Sequence, residues 1–113
     1  MGELLHLPKR AVGQLIKIVL KTLDKREITL EEQEFCRRIA ADLRAVLKKS
    51  KVVSSYDGFD IGYGECVFWI YTSDLEQTVR EILPVFKGRV FAPGSYYVKV
   101  DQNRNVWDVV SLG

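Results

Sequence analysis

One histidine, two cysteines and three prolines in 113 residues leave little material for most site chemistries. His6 is the sole histidine, so any Cys–His or Ser–His nucleophile pair would depend on a residue near the terminus, and no Gly-x-Ser-x-Gly elbow is present. Zinc would find at most His6, the two cysteines and carboxylates, with no ligand pair at finger spacing. Gly62-x-Gly64 lacks a third glycine at the offset of a dinucleotide loop and precedes a strand pattern, whereas such loops follow one. No apolar run approaches the ~20 residues that span a bilayer. The start, MGELLHLPKR, has no charged stretch followed by a long apolar one, and His6 stands where a myristoylation motif needs Ser or Thr. These absences lead to the expectation of a cytoplasmic, non-enzymatic protein with no cofactor and no metal.

What is present suits one compact domain over residues 1–113, since 47% of the residues are hydrophobic and 28% charged. The division expected is a lead-in at 1–7, a helical half at 8–49, and a sheet half with one helix at 50–113. Charge divides the same way. Residues 1–51 carry 12 Lys/Arg against 7 Asp/Glu, and residues 52–113 carry 5 against 8. Cys36 falls on a helical apolar stripe and Cys66 on a strand, which suits two reduced core thiols; one disulfide between them is the alternative pairing.

Pro8 fits a first helical turn, and Val12, Leu15, Ile16, Val19, Leu20 and Leu23 recur at three- and four-residue steps, so a first helix is expected over Pro8 to Leu23. Thr29 and Glu32 form a capping box ahead of Phe35, Cys36, Ile39, Ala40, Leu43, Val46 and Leu47, which predicts a helix over Leu30 to Lys49. Val52 to Tyr56 reads as a short strand. The irregular stretch YDGFDIGYGE follows, with Asp57-Gly58 as the hairpin-turn dipeptide. Glu65 to Tyr71 is a buried strand with Cys66, Phe68 and Ile70 on one face and Val67, Trp69 and Tyr71 on the other. It runs into a helix capped by Ser73 and Glu76, which Pro84 should kink or stop. Lys87 to Phe91 is expected as a brief strand, Ala92-Pro93-Gly94-Ser95 as a type II turn, and Tyr96–Asp101 with Val106–Leu112 as a hairpin.

Two helix–strand–strand units predict an α+β fold. Its mainly antiparallel sheet would have four to five strands with helices on one face, a permuted ferredoxin-like arrangement with an extra N-terminal helix. The run DGFDIGYGECVFWIYTSDLEQTVREILPVF, followed by PGSYYVKV, resembles small bacterial α+β proteins in which a glycine-flanked strand enters an Asp-containing helix. In general style it is similar to toxin-immunity proteins. That resemblance implies a bacterial protein-binding module, in its specific form an immunity protein, with an acidic face and no catalytic residues.

The residues themselves offer two contact surfaces. Tyr56, Asp57, Phe59, Asp60, Tyr63 and Glu65 gather carboxylates and aromatics on one glycine-bearing loop, suited to a basic protein partner. The spacing does not match a calcium loop, and a polar loop gives no desolvation to prepare a catalytic acid. Lys17, Lys21, Lys25, Arg37, Arg38 and Lys48 form the alternative, a basic helical face for nucleic acid. Sheet aromatics can also stack RNA bases, but there they are accompanied by basic strand residues, and the strands as read here carry more acid than base. A homo-oligomer is compatible with either reading.

Overall fold

The computed structural model describes residues 14–22, 27–52, 54–101, 103 and 105–113. Its elements run β1 (Gln14–Lys21), α1 (Leu30–Lys49), β2 (Ser54–Gly62), β3 (Glu65–Thr72), α2 (Leu75–Phe86), β4 (Tyr96–Val100) and β5 (Val106–Ser111). The five strands form one sheet in the order β2-β3-β1-β4-β5, and every neighbouring pair is antiparallel. The fold is therefore α+β, as expected, with two helices against a five-stranded sheet among the described residues.

The first expected helix is corrected. Residues Gln14–Lys21 form the central strand, and the rest of Pro8 to Leu23 lies outside the described residues. QLIKIVLK satisfies both periods at once. Ile16, Ile18 and Leu20 alternate onto the helix-covered face, while Leu15 and Val19 are buried on the opposite one. A strand flanked by two others and buried on both faces loses its polar alternation, and the β-branched run Ile16, Ile18, Val19 favours it. The chain reads βαββαβ with β1 between β3 and β4, and β5 adds a fifth strand beside β4.

Local chemistry explains most boundaries. The Thr29 hydroxyl accepts from the Glu32 amide and the Glu32 carboxylate accepts from the Thr29 amide, so α1 opens with the capping box expected. The cap of α2 is Asp74 instead of Ser73, its carboxylate accepting from the Gln77 amide. Pro84 stands inside α2, which ends two residues later at Phe86. Residues 87–91 are not a strand; Gly88 takes a positive φ just after the helix and the segment stays irregular up to the 92–95 turn. In that turn the Ser95 amide donates to the Ala92 carbonyl and Gly94 has φ of 90°, which is type II geometry.

The core lies between the helices and one sheet face. Ile16, Ile18, Phe68 and Ile70 meet Ile39 and Leu43 of α1 and Leu75 and Ile82 of α2, all essentially inaccessible to water. Phe86, Phe91 and Phe35 stack edge to face at one end. The fully buried Thr72 and Thr78 hydroxyls bond each other at 2.6 Å, which satisfies polar groups that would otherwise be costly. Arg89 ties the end of α2 to Asp42 of α1 at 2.6 Å, and Lys99 of β4 ties to Glu76 of α2 at 3.1 Å.

Candidate interaction surface

The stretch expected as an irregular loop is strand β2. Asp57-Gly58 is not its turn: the register with β3 slips between Tyr56 and Phe59, and Gly58, with φ of 81°, sits in the resulting bulge. The hairpin closes at Tyr63-Gly64, flanked by the pair Gly62 and Glu65, with φ of 51° and 79°. Two consecutive positive φ values make a type I′ turn, whose twist suits adjoining antiparallel strands.

That geometry divides the six loop residues. Tyr56 and Phe59 turn toward the helices and pack against the core, Phe59 stacking on Phe68 at 5.3 Å and Tyr56 lying under the Arg44 guanidinium at 5.8 Å. The Tyr56 hydroxyl is buried with no hydrogen-bond partner among the described residues, and burial pushes its pKa up to about 12. Glu65 belongs to an ion pair with Lys21 at 2.7 Å, which raises the Lys21 pKa. Asp57 and Asp60 are exposed and make no hydrogen bond or ion pair among the described residues. Tyr63 projects from the turn, 98% exposed. The rim that faces solvent is thus Asp57, Asp60 and Tyr63.

The basic face does not assemble. Lys17 and Lys21 project from β1 on the side away from the helices, Lys17 lying 5.0 Å over the Trp69 ring and Lys21 held by Glu65. Arg37, Arg38 and Lys48 project from the exposed side of α1, with Arg38 3.5 Å from Glu34. The physical reason is the change of β1 from helix to strand, which carries its lysines to the other side of the sheet. Lys25 and His6 lie outside the described residues.

A half-open cavity of about 550 Å³ lies between the start of α1 and residues 90–93. Leu20, Phe35, Cys36, Val90, Phe91 and Pro93 give it mainly apolar walls, and Glu31 and Glu32 stand on its lining. Behind Cys36, the Cys66 thiol donates to its sulfur, which lowers the Cys36 pKa, while burial and the nearby Glu32 oppose that shift. The same hydrogen bond, followed by burial, raises Cys66. Both cysteines are free and buried. Among the described residues no group of three or more His, Cys, Asp or Glu could hold a metal ion.

The hairpin expected over Tyr96–Asp101 and Val106–Leu112 is present as β4 and β5, but sequence reasoning missed the apolar surface that β5 exposes. Val106, Trp107 and Val109 are 60%, 54% and 58% exposed on it, at an outer edge of the sheet. The signal was present in VWDVVS, where apolar residues occupy nearly every position instead of alternate ones. Compared with protein-family models, with curated proteins and with solved structures, the chain finds no match.

Proposed function

We propose that the chain is a non-enzymatic protein-binding module that meets a basic partner through the rim Asp57, Asp60 and Tyr63. The single observation that carries this reading is Tyr63. A non-glycine residue in left-handed backbone costs roughly 1–2 kcal/mol, and type I′ turns favour Asn or Gly there. Tyr63 nonetheless holds that position with its side chain almost wholly in water, so the ring contributes nothing to the core. Tyrosine is enriched where proteins touch, because it offers large contact area at low entropic cost. The flanking Asp57 and Asp60 would steer a cationic surface toward it. Tyr56 and Phe59 support the rim from beneath.

Affinity capture from the host with the wild-type chain and with an Asp57→Lys, Asp60→Lys, Tyr63→Ala variant tests the reading. A partner that the wild type holds, that the variant loses, and whose association slows as salt rises supports it. Equal capture by both removes it. If the captured partner is a toxin, co-expression that restores growth would extend the proposal to an immunity role. The nucleic-acid alternative is left with Arg37, Arg38 and Lys48 on α1; a gel shift at low salt that this surface's charge reversal abolishes would favour it.

A further inference from the structure

We propose that the outer edge of β5 pairs with the same edge of a second copy of the chain, joining two sheets across a two-fold axis centred on Val109. Burial on the sheet face turned away from the helices grades toward this edge. Leu15 and Val19 of β1 and Val67 of β3 are buried, Val19 to 1%, while Tyr96, Val98 and Val100 of β4 are half-buried. Only at Val106, Trp107 and Val109 does the apolar surface become largely exposed. Exposed apolar surface and a strand edge unpaired among the described residues thus coincide in one place, the combination that recruits another strand.

The backbone supplies the matching groups. The Leu112 amide donates to the Ser95 carbonyl at 2.8 Å. In an antiparallel ladder, hydrogen-bonded and non-hydrogen-bonded pairs alternate. Leu112, Val110 and Asp108 therefore turn their amides and carbonyls toward β4, and Val109 and Ser111 turn theirs outward. Devices that protect edges are few here. β5 has no Lys and no Pro, and its one charge, Asp108, stands opposite Lys99, 3.8 Å from its ammonium.

Charge selects the register. Directly opposed residues share a sheet face, so the axis passes through a residue, and Asp108, Val109 and Val110 are the candidates. Centring on Asp108 would set two carboxylates opposite each other in the closer, non-hydrogen-bonded spacing, which is destabilising. Centring on Val110 would run Trp107 past the strand, opposite Gly113. Centring on Val109 lets the two Val109 residues exchange both backbone hydrogen bonds, places Asp108 opposite an uncharged Val110, and sets Trp107 beside Ser111. The strand is its own complement in this register. Six residues a side make a small interface, so the dimer is reversible and concentration-dependent.

Sedimentation velocity of the full chain over a dilution series tests this. The expected result is a dimer that dissociates on dilution. Val109→Pro removes an outward amide that the monomer's own ladder does not use, so it should leave the circular-dichroism spectrum unchanged and weaken dimerisation by about tenfold or more. If that variant does not fold, Val109→Lys, an edge charge, should give the same loss. Under mild oxidation Val109→Cys should form a cross-linked dimer and Asp108→Cys should not. A monomer at every concentration up to about 1 mM overturns the proposal. So does a dimer indifferent to Val109→Pro and Val109→Lys, and cross-linking through Asp108→Cys in place of Val109→Cys overturns the register.

Discussion

The two edges of the sheet occupy equivalent positions and are built on opposite principles. β2 sends Tyr56, Phe59 and Ile61 inward against the core and Asp57 and Asp60 into water, and the bulge at Gly58 breaks its line. β5 sends inward only Val110, followed by Leu112 beyond its end, and leaves Val106, Trp107 and Val109 outside. Aromatic packing binds the first edge into its own domain, while acid and irregularity keep foreign strands away. The second edge contributes little to its own core and carries no comparable protection. Under the two proposals, the open apolar edge meets a second copy of the chain and the charged edge crowned by Tyr63 meets a basic partner.

The comparison breaks most sharply at Phe59. Replacing it with Ala removes the ring stacked on Phe68 and should cost about 2–3 kcal/mol, less than a fully buried phenylalanine because Phe59 is half-buried. Urea denaturation measures this, and a loss below half of that would mean that β2 is not held by its inward aromatics.

Tyr56→Phe sharpens the same edge in the other direction. It deletes a buried hydroxyl with no partner among the described residues and should raise stability by about 1 kcal/mol at pH 7. Because the folded pKa is raised to about 12 from an ordinary value near 10, the folded state holds this proton longer than the unfolded one. The stability tied to it is complete below the unfolded value and is lost as pH rises through the folded one. Wild-type stability should therefore fall between pH ~10 and ~12, and the variant should fall less steeply; parallel curves would remove Tyr56 from the alkaline transition. Tyr97, raised by burial, and Lys21 and Lys99, raised by their hydrogen bonds to Glu65 and Glu76, contribute with the same sign.

Tyr63→Asn replaces a strained residue by one that accepts left-handed backbone. A gain of about 0.5–1 kcal/mol is expected, read as a higher midpoint in thermal melting. A loss would show that Tyr63 supports the fold, and the argument for partner contact would fail with it. Smallest of all, Val109→Ala on β5 should change monomer stability by less than about 0.5 kcal/mol when measured at high dilution. A larger loss would make that edge part of the monomer's structure.

Legibility followed how local each signal was. The Thr29–Glu32 box, the face assignment of Cys66 to Tyr71 and the Pro93-Gly94 turn depend on neighbours in sequence, and each stands in the structure as read. Gln14–Lys21 depends on what lies on either side of it. A strand buried on both faces presents Ile16, Leu15 and Val19 together, so a helical stripe and a central strand share one pattern. The hairpin turn was displaced because Asp57-Gly58 is the better turn dipeptide, yet the bulge uses its glycine and leaves the reversal to Tyr63-Gly64. Those two shifts account for the changes at the site: Lys17 and Lys21 move from a helical face to the sheet, and Tyr56 and Phe59 move from a loop surface to the core.

Amide hydrogen exchange at low and high protein concentration compares the two edges within one molecule. Counted from the Gly62–Glu65 closing pair, Ile61 turns its amide outward on β2 as Val109 does on β5. Val109 should gain protection as concentration rises, while Ile61 exchanges at one rate throughout. Equal, concentration-independent exchange at both residues would contradict the claim that these edges are built for different contacts.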